Sequence, residues 1–282
     1  MRECNSTTRD RVESGVRADR ASITVVIAAL NEAANLPHVF ARLPACVDEV
    51  VLVDGNSSDD TIAVAQMLRP EVRIVVQSGA GKGRALACGF AAARGDIIVM
   101  LDADGSTDPA EIPRFVDALL AGADFAKGSR FMPGAESTDI TPLRYAGNRA
   151  LGWMVNVLFG TQYTDLCYGY NAFWRHCLPQ MHVTCDGFEV ETLINVRIAR
   201  AGLRTTEVPS CEGDRLHGVS KLHAFRDGRR VLRTIISERL RRSPAVSDDW
   251  RPAFREVSTE LSGPGLPLVD VPRSLAEVLQ PA

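Results

Sequence analysis

The sequence predicts an α/β protein with an open, mostly parallel sheet flanked by helices. Short apolar runs typical of buried strands recur along the first half of the chain, at residues 23–30, 50–53, 72–76 and 97–101. Each run is followed by a polar connection and then by a helical pattern. Strands that alternate with helices over short connections form a parallel sheet through right-handed crossovers, with helices on both faces.

The elements of the first half follow from this alternation. A helix ending near Leu43 follows the first strand, and a turn rich in capping side chains, residues 55–61, precedes a helix at 61–68. The glycine-rich segment Gly79–Gly83 begins a helix that extends to about residue 93. The fourth strand and its acidic end come next.

The second half is predicted to contain further strands and helices. Strand patterns cover residues 124–129, 164–174 and 203–209, and helical patterns cover residues 142–159, 188–201 and 222–241. Charged residues 1–21 lack apolar periodicity and are expected to form a flexible leader. The proline-rich segment 243–282 is expected to be an extended tail, which leaves one domain at 22–242.

Composition indicates an ordinary globular protein, with 45% hydrophobic and 24% charged residues. A net charge of -3 gives no reason to expect a nucleic-acid partner. The seven cysteines contain no C-x-x-C pair, which favours a reducing cytoplasm over a disulfide framework or a zinc site. No apolar run approaches the roughly 20 residues of a membrane span, and the N-terminus does not resemble a secretory signal.

Two carboxylates follow the fourth strand, because the apolar run at 97–101 ends in the D-x-D sequence Asp102-Ala103-Asp104. In open α/β sheets ligands bind at this carboxyl edge, and two hard oxygen donors can share Mg²⁺ or Mn²⁺ with a phosphate. The alternative is a polar turn that leads into a helix at Asp108 and Pro109.

Polar residues also end the other strands: Asn31 and Glu32 follow the first, and Asp54 ends the second. Their coincidence at one edge with the D-x-D sequence favours a nucleotide-plus-metal site. The segment Gly79–Gly83 could bring backbone N–H groups and Lys82 near a phosphate, although a plain turn explains it equally well.

The order of motifs resembles family 2 glycosyltransferases, and within them the polyprenyl-phosphate sugar transferases. The likeness covers residues 23–222. Its strings are A-L-N-E at 29–32, V-D-G-N-S-S-D-D-T at 53–61, G-K-G at 81–83, D-A-D at 102–104, G-S-R-F at 128–131, the acid-then-aromatic segment at 165–173, F-E-V-E at 188–191, E-V-P at 207–209 and D-R-L-H-G-V-S-K-L at 214–222.

The resemblance implies a GT-A fold and a metal-dependent, inverting transfer of a hexosyl group from a UDP- or GDP-linked sugar to a polyprenyl phosphate. Residues 22–130 would form the nucleotide-sugar half, and residues 131–242 the acceptor half with its basic helix. A soluble phosphorylated or hydroxylated acceptor is the alternative. A sugar-1-phosphate nucleotidyltransferase and a non-enzymatic nucleotide-sugar-binding module are more remote alternatives.

The resemblance also assigns residues to the donor and the metal. The donor would contact Ala29, Asn31, Glu32, Asp54, Lys82, Asp102, Ala103 and Asp104. Of these, Asp102 and Asp104 would hold Mg²⁺ or Mn²⁺. Related enzymes often add a glutamine ligand where this chain has Ser106, so His217 is the candidate third ligand, and a surface histidine is the alternative.

Four residues match positions that surround a diphosphate or an acceptor phosphate: Arg130, Arg215, Ser220 and Lys221. Candidates for a general base are Asp186, Glu189, Glu191 and Asp165. A hydroxyl acceptor requires such a base, whereas a phosphate acceptor is already anionic.

The helix at 222–241 carries a row of arginines beside apolar residues. It either packs on the sheet with a solvated basic face or makes a peripheral contact with anionic lipid, at the inner face of the membrane. The sequence leaves a homodimer open.

Overall fold

The computed structural model describes residues 20–219, 222–241, 252 and 254–257. These residues form one large mixed sheet, a second sheet of two short strands, and helices that cover both faces of the large sheet. The predicted α/β architecture is therefore confirmed. No helix within the described ranges has the length and apolar character needed to cross a bilayer.

The strands, in chain order, are β1 (Ile23–Ala29), β2 (Glu49–Asp54), β3 (Arg73–Gln77), β4 (Ile97–Asp102), β5 (Phe125–Ser129), β6 (Glu136–Ser137), β7 (Asn171–Trp174), β8 (Thr205–Pro209), β9 (Cys211–Glu212) and β10 (Phe254–Val257). The α-helices are α1 (Leu36–Ala41), α2 (Thr61–Leu68), α3 (Lys82–Ala92), α4 (Ile112–Leu120), α5 (Pro142–Phe159), α6 (Leu178–Met181), α7 (Val190–Arg200) and α8 (Ala224–Leu240). Single 3₁₀ turns occupy Pro109–Glu111 and Arg175–Cys177.

The large sheet has the strand order β10, β3, β2, β1, β4, β7, β5, β8, and β6 pairs with β9 in the small sheet. Strands β1 to β4 run parallel, as do β5 and β8, whereas β7 is antiparallel to both of its neighbours. In the parallel part, Ala28 lies opposite Asp102 and Ala29 opposite Asp54. The acidic strand ends therefore share one edge of the sheet.

Alternate residues of each strand pack on opposite faces of the sheet. Ile27 of β1 belongs to the core cluster that contains Phe115 of α4, and its neighbour Val26 belongs to the cluster of Phe90 of α3. A third, smaller cluster joins Val155 of α5 to Val231 and Ile235 of α8. Helices α5 and α8 thus pack against each other beside the sheet.

Residues 164–170 differ from the predicted strand at 164–174, because only β7 joins the sheet. The backbone N–H of Thr164 donates to the Glu207 carboxylate at 3.0 Å. The N–H groups of Leu166 and Cys167 donate to Oδ1 of Asn148 at 3.1 and 3.2 Å. These backbone N–H groups are thus satisfied by side-chain oxygens and not by the carbonyls of a neighbouring strand. The segment therefore has no regular secondary structure.

Residues 254–257 also differ from expectation, because this part of the predicted tail forms strand β10. It pairs antiparallel with β3, with Phe254 opposite Gln77 and Val257 opposite Ile74. Arg73 of β3 forms an ion pair with Glu256, which favours this register. Residues 1–19 of the predicted leader lie outside the described residues.

Candidate active site

Lys82, the first residue of α3, joins two carboxylates from distant parts of the chain. Its Nζ atom lies 2.7 Å from Oδ1 of Asp102 at the end of β4 and 2.8 Å from Oε1 of Glu191 on α7. Burial opposes the charged form of the lysine, but the two carboxylates outweigh it, so the pKa of Lys82 is raised. The amine therefore stays cationic throughout the physiological range.

Gly169 provides the space for this group. A Cβ atom at position 169 would lie 2.9 Å from Nζ of Lys82, 3.1 Å from Oδ2 of Asp102 and 3.3 Å from Oε1 of Glu191. The glycine permits this close approach, since a side chain here would require the Lys82 amine to shift from its present contacts.

Asp104 is held by a second cation and by a hydroxyl. Its Oδ2 atom lies 2.7 Å from Nη2 of Arg215, and its Oδ1 atom accepts the Oγ–H of Ser106 at 2.7 Å. The loop that carries Arg215 is fixed to the same turn, because the N–H of Leu216 donates to the Asp104 carbonyl at 3.3 Å. Ser106 therefore orients Asp104, a role that its place in the sequence did not indicate.

The structure does not bring His217 together with Asp102 and Asp104 as a three-ligand set, so its role as a metal ligand stays a prediction. Its ring lies 6.1 Å from the ring of His38, and its carbonyl accepts the side-chain N–H of Asn35 at 3.2 Å. Within the described part of the chain, no set of three His, Cys, Asp or Glu side chains is placed to share a metal. Asp102 and Asp104 remain as two neighbouring carboxylates.

A divalent metal fits these two residues without a third protein ligand. Each carboxylate already attracts a cationic group, and Mg²⁺ commonly takes one or two carboxylates and completes its shell with phosphate and water.

The predicted nucleoside residues divide into two sets. Ala29, Glu32 and Ala103 line a cavity along the sheet edge. Asp54 is buried instead, and its Oδ2 atom accepts the N–H groups of Asn56 and Ser57 at 3.0 and 3.1 Å. Asp54 therefore stabilises the turn after β2, and its contact with a nucleoside stays a prediction.

Asn31 likewise connects two loops. It adopts a left-handed conformation with φ 60°, and its Oδ1 atom accepts the N–H of Ser58 at 2.7 Å. This hydrogen bond fixes the loop after β1 to the loop after β2. Of the two neighbouring residues Asn31 and Glu32, Glu32 is the one that lines the cavity.

Arg130 is almost completely buried and bound on three sides. Its Nε and Nη2 atoms donate to the two oxygens of Asp165 at 2.7 and 3.0 Å, and Nη1 donates to Glu212 at 2.9 Å. Burial disfavours the charged form of Asp165, but the hydrogen bonds from Arg130 outweigh it and hold the pKa of this carboxyl below its usual range. Asp165 therefore positions Arg130 and is not an available base.

The remaining base candidates occupy three different environments. Asp186 is exposed and pairs with Arg84 at 3.1 Å, while Glu191 is bound to Lys82. Glu189 has one buried carboxylate oxygen, Oε2, for which the described residues supply no hydrogen-bond partner. None of the three stands free beside Asp102. Ser220 and Lys221 lie outside the described residues.

The glycines at the start of α3, Gly81 at its N-cap and Gly83 in its first turn, serve packing. A Cβ on Gly81 would lie 2.0 Å from the Asp186 carbonyl oxygen, and a Cβ on Gly83 would lie 2.3 Å from that of Cys185. The N–H of Gly83 donates to the Asp186 carbonyl at 2.9 Å. The segment therefore fits against residues 185–186, and its contribution to the site is Lys82.

Two cavities meet at the charged group. The sheet-edge cavity, of about 400 Å³, is lined by the ends of β1, β3 and β4 and by Arg226 and Arg230. The α5–α8 cavity, of about 280 Å³, extends between helices α5 and α8. Both are lined by Lys82, Asp102, Asp104, Phe188 and Arg215. Two molecules could thus bind on opposite sides of these residues and react where the cavities join.

Sequence reasoning missed several residues of this arrangement. Arg226 and Arg230 were assigned to a surface helix, yet they line the sheet-edge cavity. Phe188 lines both cavities, and Nζ of Lys82 lies 5.9 Å from the centre of its ring. The F-E-V-E string was the available signal for Phe188, whereas Gly169 offered none without the fold.

Comparison with known proteins adds family evidence to this geometry. The family model described as "Glycosyl transferase family 2" matches residues 24–177. The chain is 32% identical to the polyprenol monophosphomannose synthase of Mycolicibacterium smegmatis, over 74% of this chain and 86% of the relative. It is 31% identical to the undecaprenyl-phosphate mannosyltransferase of Micrococcus luteus, over 71% and 87%.

Two further similarities extend this result. Glycosyltransferase AglJ of Haloferax volcanii is 34% identical to this chain. The match covers 64% of this chain and 59% of the relative. Among solved structures, glucosyl-3-phosphoglycerate synthase from Mycobacterium tuberculosis, in complex with Mn²⁺, UDP-glucose and phosphoglyceric acid, has a TM-score of 0.64 and 26% identity. That likeness covers 84% of this chain and 86% of the other, and it confirms the expected GT-A fold.

Proposed function

The chain belongs to glycosyl transferase family 2 and is a glycosyltransferase, and we propose that it transfers a hexosyl group from a nucleotide-diphosphate sugar to a polyprenyl phosphate. Membership of this family sets aside the nucleotidyltransferase alternative and the non-enzymatic binding module. The names of the relatives from Mycolicibacterium smegmatis and Micrococcus luteus support a lipid-phosphate acceptor.

The amphipathic character of the α5–α8 cavity carries this proposal. At its inner end the cavity is lined by the cations Lys82, Arg130 and Arg215 and by the carboxylates with which they pair, Asp102, Asp104, Glu191 and Glu212. Further out, the lining also includes Asp139, Arg144 and Asp227, but most of its side chains are apolar: Ile140, Leu143, Leu151, Leu222, Phe225 and Val231. A phosphate joined to an isoprenoid chain matches both ends, whereas a small hydrophilic phosphate would leave the apolar part without a partner.

The sheet-edge cavity would hold the donor. It adjoins Asp102 and Asp104 and carries arginines from α8, so a nucleoside diphosphate would find both a groove and positive charge. Its volume of about 400 Å³ lies in the range typical of small-molecule sites. The solved complex of the related synthase with UDP-glucose supports a donor of this class.

Asp102 and Asp104 would hold a divalent metal, Mg²⁺ or Mn²⁺. When bound, the metal neutralises negative charge on the diphosphate that leaves. The solved synthase complex contains Mn²⁺ together with its UDP-sugar, which supports this choice. Lys82 and Arg215 contact the same carboxylates, so both cations are close enough to share the charge of the leaving group.

The chemistry is a single displacement. An oxygen of the acceptor phosphate attacks the anomeric carbon, the bond from that carbon to the diphosphate oxygen breaks, and the nucleoside diphosphate leaves with the bonding electrons. The acceptor needs no proton removed, which agrees with the Glu191 carboxylate being bound to Lys82. One displacement inverts the configuration at the anomeric carbon.

A lipid-phosphate acceptor also implies a location. Its isoprenoid chain lies in a bilayer, so the enzyme must approach a membrane surface to reach the phosphate. No disulfide joins the cysteines of the described residues, which supports a reducing compartment and hence the cytoplasmic face.

The test is nucleotide release with three acceptors. The protein is incubated with Mn²⁺ or Mg²⁺ and a panel of UDP- and GDP-linked hexoses, with polyprenyl phosphate, polyprenol or phosphoglycerate. Polyprenyl phosphate should stimulate release of one nucleoside diphosphate, and polyprenol should not. Stimulation by phosphoglycerate alone would favour the soluble acceptor, and no release under any condition would refute donor use.

A further inference from the structure

Helix α5 presents a continuous apolar stripe on its outer side. Leu143, Ala146, Ala150, Trp153 and Val157 recur at the spacing of one helical face, and all five are exposed. The fractional exposure is 57% for Leu143, 67% for Trp153 and 62% for Val157. The buried face of the same helix is formed by other residues, including Asn148 and Val155. The stripe is thus additional to the packing face.

Helix α8 carries a matching stripe. Phe225, Ile236 and Leu240 lie on one helical face, with exposures of 82%, 47% and 75%. The core-packing residues Val231 and Ile235 lie on another face, where they contact α5 and its neighbours. The basic face of this helix is therefore interrupted by large apolar side chains that nothing in the described chain covers.

The two stripes meet at the opening of the α5–α8 cavity. Leu143 of α5 and Phe225 of α8 each line that cavity, and each is mostly exposed. The apolar outer part of the cavity is thus continuous with the apolar stripes of both helices. We refer to these two stripes together as the α5–α8 surface.

The charges that the two helices expose have one sign, and the nearby Asp139, just before α5, is paired with Arg144. Helix α5 contains no acidic residue, and the two acids of α8, Asp227 and Glu238, are both buried. Arg149, Arg229, Arg233 and Arg239 are exposed and form no ion pair with any other described residue. The surface is therefore cationic, although the whole chain has a net charge of -3.

We infer that the α5–α8 surface docks on an anionic lipid bilayer and places the opening of the α5–α8 cavity against it. Exposed aromatic and aliphatic side chains would enter the headgroup region, and the arginines would contact lipid phosphates while their stems cover apolar surface. The inference deepens the proposed function, on which its biological meaning rests, because a polyprenyl phosphate could then enter the cavity directly from the membrane.

Vesicle flotation tests the inference without donor, acceptor or turnover. The full chain is mixed with vesicles of phosphatidylcholine alone or with about one third phosphatidylglycerol. We expect binding to the anionic vesicles that exceeds binding to the neutral ones by tenfold or more and that weakens as salt is raised. Equal binding to both compositions, or no binding, would overturn the inference whether or not the protein is an active transferase.

Two double variants locate the contact. Trp153→Ser with Leu240→Ser removes exposed apolar groups, and Arg229→Glu with Arg233→Glu reverses exposed charges. The charge-reversal pair should lower vesicle binding about 25-fold or more, since each arginine near an anionic surface contributes on the order of a fivefold change. The serine pair should lower it roughly tenfold or more, because it removes apolar area that would enter the bilayer. Transfer to a detergent-dispersed, short-chain acceptor should be unchanged, because none of these residues lines either cavity.

Matched substitutions elsewhere provide the controls. Leu120→Ser changes a leucine that is 61% exposed on α4, which packs on the other face of the sheet. Arg94→Glu with Arg255→Glu reverses two exposed charges, before β4 and on the edge strand β10, that like Arg229 and Arg233 form no ion pair with another described residue. Loss of vesicle binding in these controls would refute the assignment. So would a dimer in sedimentation that the Trp153 and Leu240 changes dissociate, since the surface would then bind a second copy.

Discussion

Oε1 of Glu191 lies 2.8 Å from Nζ of Lys82, so the glutamate that the sequence offered as a general base is paired with a buried cation. The same amine contacts Asp102 at the end of β4. The three residues connect the sheet edge, the start of α3 and helix α7 at the junction of the two cavities. Lys82 therefore places a positive charge where the two cavities meet, and in the proposed reaction this charge would lie between donor and acceptor.

Replacing Lys82 by methionine should impair both activity and stability. Transfer should fall by roughly 10²–10³, as expected when a fixed charge beside a leaving group is lost. The free energy of unfolding should fall by about 3–5 kcal/mol, because the buried Glu191 carboxylate loses its partner. The measurements are steady-state transfer and urea unfolding.

The double variant Lys82→Met with Glu191→Gln separates these two effects. When Lys82 and Glu191 are both neutral, no unpaired charge is left at position 191. Most of the unfolding free energy should therefore return, whereas the rate of transfer should not. A Lys82→Met enzyme that keeps its rate within about twofold would contradict a role for this charge in transfer.

Gly169→Ala should disturb the site without changing any charge. Its Cβ would lie 2.9 Å from Nζ of Lys82, so the lysine must move away from its carboxylates. We expect a loss of about 1–3 kcal/mol in unfolding free energy, with reduced turnover. Gly147→Ala is the control, because a Cβ on Gly147 meets nothing within 4 Å. It should be neutral or stabilising in the same unfolding experiment, and equal destabilisation by both changes would refute the steric explanation.

Metal dependence should distinguish Asp104 from His217. Asp104→Asn should raise the Mn²⁺ concentration for half-maximal transfer by roughly 10-fold or more, since a carboxylate ligand becomes a neutral amide. His217→Ala should leave it unchanged, because the ring lies beside His38. A Mn²⁺ titration of both variants decides the matter. A shift in the His217 variant as large as that of Asp104→Asn would restore the histidine as a ligand.

Thiol labelling should follow burial. Burial raises the pKa of Cys167, which lines the α5–α8 cavity, to about 12, and it does the same for Cys177 and Cys185. A raised pKa keeps a thiol protonated, so these three should react slowly with maleimide at pH 8, and faster only as the pH rises towards that value. The exposed Cys211 should be modified before these three. Peptide mapping that finds Cys167 labelled as fast as Cys211 would contradict the buried environment.

The sequence predicted what depends on local pattern. The buried strand before Asp102 and the helix bounds 61–68 and 142–159 agree with the structure, because apolar periodicity and capping residues determine them. The shared sheet edge followed from parallel strands alone, since the carboxyl ends of such strands point the same way.

Long-range contacts were beyond this reasoning. The pairing of Lys82 with Glu191 joins elements from opposite halves of the chain, and the antiparallel insertion of β7 depends on where α5 leads the backbone. Asp54 shows a second reason why the sequence could not predict the site in full. A strand-end acid has the same sequence context whether it binds a ligand or accepts backbone N–H groups, as it does here from Asn56 and Ser57.

The dependence of transfer on acceptor chain length tests the central claim most directly. We would measure kcat/KM for isoprenoid phosphates of one, two, three and more units, dispersed in the same detergent, with phosphoglycerate as the hydrophilic reference. The apolar lining of the α5–α8 cavity predicts a steep rise over the first units, because each buried methylene contributes about 0.8 kcal/mol. A value that does not change with chain length, or a preference for phosphoglycerate, would contradict a polyprenyl phosphate acceptor.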